Sequence, residues 1–224
     1  MNPHSFSTDD NRKFWSQNQS SYHGSHNAPW LIFLSKEFIG QHILDAGAGD
    51  GSLVSALREH FPSASVAGID LAPKRDDIET GDLTALPYDD STFDTVYCSE
   101  VIEHVPMEDA DKIAAELFRV LKPAGHVVFT TPYAEDLAES LVTCPQCDCS
   151  FHRYGHQLSL DESDLESLMD RAGFTDKAIF PVKMSKVRRY RFMGPRFFRS
   201  NFMTKRARKA RGKRTLIAAA RKPE

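Results

Sequence analysis

The stretch VYCSEVIEHVP, Val96 to Pro106, ends an apolar run and then places two glutamates and a histidine close together. Glu100, Glu103 and His104 stand at i, i+3 and i+4, so a helical turn would set all three on one face. Glutamates stacked in that way repel by about a few tenths of a kcal/mol, so either water screens them or something positive sits between them.

A second constellation follows in CPQCDCSFHRYGH, whose pattern C-x2-C-x4-H-x3-H is close to the spacing of a structural zinc knuckle. Cys144, Cys147 and His152 are its firmest ligands, with His156 or Cys149 as the fourth. A redox dithiol and plain reduced cysteines are the alternatives. Clustered cysteines do not read as a disulfide framework, which would spread them along the chain.

A third lies in LDAGAGDGSL, where Gly47, Gly49 and Gly51 occur at every second position between a strand-like run and a helix-like one. Glycines there let backbone approach a ligand, and the helix start supplies N–H donors. The spacing is G-x-G-x-G rather than the G-x-G-x-x-G of dinucleotide sites, which disfavours a nicotinamide-dependent oxidoreductase. Asp70 ends the next apolar run, where a carboxylate can accept from both hydroxyls of a ribose. Asp82, in GDLTALPY, is placed to accept from an exocyclic amine. Each acid alone reads as a solvated loop residue; in this order they point to a nucleoside site.

The elements that must position these groups alternate regularly. HILDAG, ASVAGIDL, STFDTVYCS and HVVFTTP read as strands, with a weak further strand in DIETGDLTALPY. SLVSALREHF and EDADKIAAELFRVLKPAG have helical periodicity, the second closed by Pro-Ala-Gly. SLDESDLESLMDRAGF predicts another helix with Ser159 as N-cap, and AIFPV and RTLIAAARKP two last strands. This alternation predicts an α/β fold, a doubly wound, mostly parallel sheet covered by helices on both faces. Residues 1–40 read as an N-terminal helical cap and 41–222 as one domain carrying two insertions, a Cys/His-rich one at 132–160 and a basic one at 186–214.

Composition adds a charge split. Residues 1–176 hold 30 acids and 11 bases, while 177–224 hold 1 acid and 17 bases, which together restore the net charge of −3. Thirteen of those bases lie between Lys186 and Arg214, interleaved with aromatics such as Tyr190, Phe197 and Phe202. The plain reading is a solvated surface segment; the functional one is an anionic partner, whether RNA, a membrane surface or a phosphorylated compound. The polar N-terminal residues do not look like a secretion signal, and no apolar run approaches a membrane span. The expected location is the cytoplasm, with peripheral membrane contact as an option.

Over roughly residues 40–222 the chain resembles the class I S-adenosylmethionine-dependent methyltransferases of the type 11-like kind. ILDAGAGDGSL matches their first motif, GIDLAP the second, GDLTALPYDDSTFDTVYCSEVIEHV the third and fourth, and RVLKPAGHVVFTTP the fifth strand with its lead-in. The resemblance implies a seven-stranded Rossmann-like sheet whose final strand returns antiparallel. It also implies S-adenosylmethionine as cofactor: Gly47 and Gly49 beneath its methionine part, Asp70 on the ribose, Asp82 and Leu83 at the adenine, with Asp45, Ala48 and Leu71 also among the cofactor-binding residues. Cys98 and Ser99 would offer main-chain contacts near the methyl.

Two branches of that family, small-RNA terminal 2′-O-methyltransferases and catechol O-methyltransferases of ubiquinone synthesis, carry a fuller E-x-x-E-H pattern that holds a divalent ion. By that likeness Glu100, Glu103, His104 and His156 would hold Mg2+ or Mn2+, a cation able to bind two adjacent hydroxyls and lower the pKa of the one attacked. In the plainer reading Glu103 and His104 line the pocket, His104 as a general base, and Glu100 faces solvent. His156 cannot serve both this site and a zinc set, so Cys149 must complete the zinc if His156 is catalytic. The expected activity is O-methylation of a small-molecule, sugar or lipid-linked hydroxyl, with methylation of an RNA end as runner-up and a non-catalytic binding module as the rival class.

Overall fold

A computed structural model describes residues 6–18, 27–183 and 214–224. Of the basic insertion only Arg214 falls among them; the anionic-partner expectation for 186–214 otherwise lies outside the described residues.

Seven strands form one sheet: β1 (His42–Ala46), β2 (Ser65–Asp70), β3 (Glu79–Thr80), β4 (Phe93–Ser99), β5 (Leu121–Pro132), β8 (Thr175–Val182) and β9 (Thr215–Arg221). Their order is β3-β2-β1-β4-β5-β9-β8. β1 pairs parallel with β2 and β4, and β4 with β5, while β9 runs antiparallel to both β5 and β8. This is the mostly parallel α/β sheet expected.

The central strands explain the topology. Leu44 and Val96 point to one face and Ile43 and Tyr97 to the other, and all four are fully buried. Strands buried on both sides need helices on both sides. On one face, α4 (Met107–Val120) and α5 (Glu162–Ala172) cover Leu44 and Val96 with Ile113, Leu117, Leu165 and Leu168. On the other, α2 (Ala28–Ser35) and α3 (Ser52–His60) cover Ile43 and Tyr97 with Leu31, Leu53, Val54 and Leu57.

Two local expectations are corrected, and two segments gain detail. α5 is capped by Asp161, not Ser159: Asp161 Oδ1 accepts from the N–H groups of Ser163 and Asp164 at 2.8 and 3.0 Å, and Asp164 accepts in return, a reciprocal box that Ser159 stands too early to make. Glu100, Glu103 and His104 do not share a helical face, because only Ile102–His104 forms a 3-10 turn and Glu100 precedes it at φ 56°. The N-terminal cap divides into two roles. α1 (Thr8–Gln17) lines a cleft beside the sheet with Thr8, Asn11 and Trp15, whereas α2 is part of the core, its Ser35 hydroxyl 2.6 Å from the Tyr97 hydroxyl. The insertion at 132–160 is a hairpin, β6 (Leu141–Thr143) against β7 (Ser150–His152), and its connecting turn holds all three clustered cysteines.

Candidate active site

The glycine loop leaves β1 with Gly47 at φ 87°, Gly49 at 53° and Gly51 at 72°, conformations that disfavour side chains. The N–H groups of Gly47 and Ala48 both donate to the Ile69 carbonyl at 2.8 and 3.0 Å, which ties the loop to β2. A Cβ on Gly47 would meet Val101 Cγ2 at 2.2 Å, so the loop also packs against the residues that follow β4.

Asp70 stands where β2 ends. Its two oxygens each accept a backbone N–H, from Gly49 and Ala72, and each keeps lone pairs for a further donor. Burial raises its pKa, while those two N–H groups and Lys74 pull it back. Asp45, behind the loop, is pushed up to about 8 by burial and then by Asp70 and Asp50. Asp82 Oδ1 is held by the Thr84 N–H and hydroxyl at 2.9 and 2.8 Å. A cleft of about 710 Å3 is lined by Gly47, Asp70, Leu71, Asp82, Leu83 and His104 together.

Of the other expected cofactor residues, Cys98 turns its thiol into the core, where burial, Glu103 and Asp45 raise its pKa, so main-chain contact is what it can offer. The Ser99 hydroxyl pairs with that of Thr130 at 2.8 Å.

Sequence reasoning did not find the lid. Across the cleft, α1 contributes Asn11 and Trp15. Asn11 Nδ2 donates to the His104 carbonyl at 2.9 Å, the Trp15 ring meets the His104 ring edge-on at 4.7 Å, and Lys74 Nζ donates to the Trp15 carbonyl at 2.6 Å. Gln157 donates to the same His104 carbonyl at 2.6 Å.

Beyond the cleft lies a buried cluster of carboxylates and imidazoles. Glu103, His104 and His156 present ligand atoms within 4.8 Å of one another, and so do Glu135, His152 and His156. Glu103 is 1% exposed and its oxygens make no hydrogen bond of standard geometry, although the Thr131 hydroxyl lies close enough to lower its pKa; Glu100 Oε1 and His104 Nδ1 are buried without a well-aligned partner too. Burial raises the pKa of both Glu100 and Glu103, and Glu100 raises Glu103 further. Burial and the neighbouring His156 push His104 down to about 3. Buried carboxylate oxygens beside imidazoles are what a divalent cation would satisfy; Glu103, His104 and His156 are spaced to hold one, and Glu100 stands outside that spacing.

The zinc set is not assembled. Cys144, Cys147 and Cys149 are free thiols at the hairpin turn, where Cys144 N–H donates to the Cys149 carbonyl at 2.9 Å. His152, at the hairpin base, joins Glu135 and His156 instead. Among the described residues no group of three potential ligands includes a cysteine.

A family profile described as a methyltransferase domain matches residues 15–178. The chain belongs to the class I S-adenosylmethionine-dependent methyltransferase family. Its relatives include a probable S-adenosylmethionine-dependent methyltransferase of Mycolicibacterium smegmatis, 30% identical over 63% of this chain and 54% of that protein. A malonyl-[acyl-carrier protein] O-methyltransferase of Halorhodospira halophila is 30% identical over 62% and 50%, and a ubiquinone biosynthesis O-methyltransferase of Coxiella burnetii 31% over 41% and 44%. The chain thus spans about half the length of the curated relatives it matches. Among solved structures, the 1,6-didemethyltoxoflavin-N1-methyltransferase of Burkholderia thailandensis superposes with a TM-score of 0.65 at 17% identity, covering 100% of this chain and 93% of that one, and so shares the fold. The matched range holds the glycine loop, Asp70, Asp82 and, after the fourth strand, Glu103 and His104.

Proposed function

We propose that this chain transfers a methyl group from S-adenosylmethionine to a hydroxyl oxygen of a small-molecule, sugar or lipid-linked acceptor, assisted by a divalent cation. Bound in the cleft, the cofactor supplies a methyl already activated on a sulfonium, so what remains is alignment and proton removal. Gly47, Ala48 and Gly49 give backbone contact to its methionine part, Asp70 accepts from the ribose hydroxyls, Asp82 and Leu83 hold the base, and Cys98 and Ser99 contribute main chain near the methyl. α1 shields this arrangement from water.

The observation that carries the reading is the buried carboxylate of Glu103, without a well-aligned hydrogen bond, next to His104 and His156, beside the cofactor cleft. A cation held by Glu103, His104 and His156 would polarise an acceptor hydroxyl and lower its pKa. A ring pushed down to about 3, as His104 is, accepts a proton poorly at neutral pH, which favours a ligand role over a general-base role.

The acceptor class is supported by a second cleft of about 680 Å3 on the far side of the cluster, lined by Phe6, Met107, Leu137, Leu141, Phe151 and His156. His156 lines this cleft, His104 the first, and their rings are 4.8 Å apart. An apolar body could lie there with its hydroxyl at the cluster. The O-methyltransferase names of two relatives agree with oxygen as the atom. Among the described residues no helix is long and apolar enough to cross a membrane.

Radiolabelled S-adenosylmethionine, the purified protein and a fractionated extract, with and without chelator, test this. Chelator-sensitive label in the small-molecule or lipid fraction is expected. Label in RNA would replace the acceptor with an RNA end, transfer that survives the chelator would remove the metal, and failure to bind S-adenosylhomocysteine at millimolar concentration would leave a non-catalytic binding module.

A further inference from the structure

Glu135 sits between two imidazoles. Its Oε2 lies 2.5 Å from His156 Nδ1 and its Oε1 lies 3.9 Å from His152 Nε2, and the two rings stack 4.4 Å apart. Side-chain exposures of 16% for Glu135, 11% for His156 and 2% for His152 put the group inside the protein.

The backbone decides which nitrogens carry protons. The His156 N–H donates to His152 Nδ1 at 3.2 Å, so that nitrogen offers a lone pair and the His152 ring proton is on Nε2, the edge that faces Glu135. A carboxylate only accepts, so the His156 nitrogen at 2.5 Å from Glu135 is Nδ1–H. The lone pair of a neutral His156 ring is then on Nε2. Proton placement also separates the two ligand groups. The set Glu135, His152 and His156 is spaced for a cation, but a His152 that accepts at Nδ1 has no second lone pair to give.

We infer that Glu135 and His152 are positioning residues that hold His156 in its Nδ1–H tautomer, leaving Nε2 to ligate a cation shared with Glu103 and His104. Ligating histidines characteristically give their other N–H to a carboxylate, which fixes tautomer and ring orientation. The Cys-bearing hairpin thereby has a role without zinc: β7 delivers His152 to Glu135, while Tyr133 and Ala134, whose N–H groups donate to the Arg214 and Leu160 carbonyls, anchor the chain just before Glu135. The metal consequence rests on the cation reading above; the tautomer does not.

Two-bond 1H–15N correlation spectra of the metal-free, 15N-labelled full chain read the tautomer directly. The expected result is Nδ1–H for His156 in the natural protein and a shift toward Nε2–H in Glu135→Ala. Glu135→Gln, which keeps one acceptor oxygen, should fall between. Titration of Mn2+ followed by electron paramagnetic resonance should show Glu135→Ala weakened about 10–100-fold, with circular dichroism confirming that both variants fold. An Nε2–H His156 in the natural protein, or a tautomer indifferent to Glu135→Ala, overturns the inference. The expected tautomer in a natural protein that binds no Mn2+ would uphold the positioning and overturn only the cation reading.

Discussion

Gly49 donates its backbone N–H to Asp70 Oδ2 at 2.8 Å, so the glycine loop and the acid at the end of β2 are oriented by the same bond. With Ala72 on the other oxygen, the carboxylate is fixed before any ligand arrives. Asp70→Ala should therefore lose the ribose contacts and the loop anchor together. Hydrogen bonds to a charged group contribute about 1.5–3 kcal/mol each, so affinity for S-adenosylhomocysteine should fall by about 100-fold or more. Calorimetric titration measures it, and unchanged affinity would remove Asp70 from the ribose.

Gly47 carries two constraints that a double substitution can separate. Gly47→Ala places a methyl group 2.2 Å from Val101 Cγ2 and keeps φ 87°, so both a clash and backbone strain arise. The strain alone costs about 1–3 kcal/mol. Adding Val101→Ala removes the clash and should recover part of the lost melting temperature, but not all of it. Full recovery would mean that the left-handed backbone at Gly47 is not required.

Much of this architecture was legible because short apolar runs, buried on both faces in the fold, alternate with helices that carry apolar residues every three or four positions. Ile113 and Leu117 declare their helix face without any tertiary information, whereas Leu44 and Val96 are told from Ile43 and Tyr97 only by the packed sheet. The motif acids Asp70 and Asp82 were legible for a different reason, since they stand at strand ends where the fold must put a ligand. Glu135 was not. Nothing in its spacing connects it to His152 or His156, because a hairpin separates them in sequence and only the folded insertion brings them together. The zinc expectation gains no support on the same segment, because spacing alone cannot tell whether a cysteine turn folds onto its own histidine or delivers that histidine elsewhere. The lid residues Asn11 and Trp15 lie in a helix whose sequence records only its capping box, Ser7 with Asp10.

Asp45 sets a pH dependence whose sign can be worked out. Its folded pKa is raised by burial, Asp70 and Asp50 from 3.8 to about 8. A raised acid contributes its full share of stability below the unfolded value and loses it as pH climbs to the folded one. From about pH 4 to 8 the ligand-free protein should thus lose up to about 1.4 kcal/mol per pH unit through this group. Asp45→Asn should flatten that slope in urea unfolding at pH 5, 6, 7 and 8. A slope identical to that of the natural protein would mean that Asp45 is ionised in the fold.

Glu103 offers the sharpest separation between a metal ligand and a pocket residue. Ionised, it is a buried charge with no hydrogen bond of standard geometry on either oxygen, and Glu100 opposes it. Without metal such a group destabilises the fold at neutral pH, because burial and Glu100 hold its folded pKa above the unfolded value and stability falls as pH rises between the two. Glu103→Gln removes that charge at nearly constant shape. The metal-free variant should be at least as stable as the natural protein at pH 8, while the stabilisation given by Mn2+ disappears. At a concentration 100 times the dissociation constant, that stabilisation is about 2.7 kcal/mol. Thermal unfolding with Mn2+ and with chelator reads both quantities. A variant that keeps the Mn2+ shift would return Glu103 to lining the pocket, and one that loses stability without metal would show that the ionised carboxylate is satisfied within the protein, by the Thr131 hydroxyl.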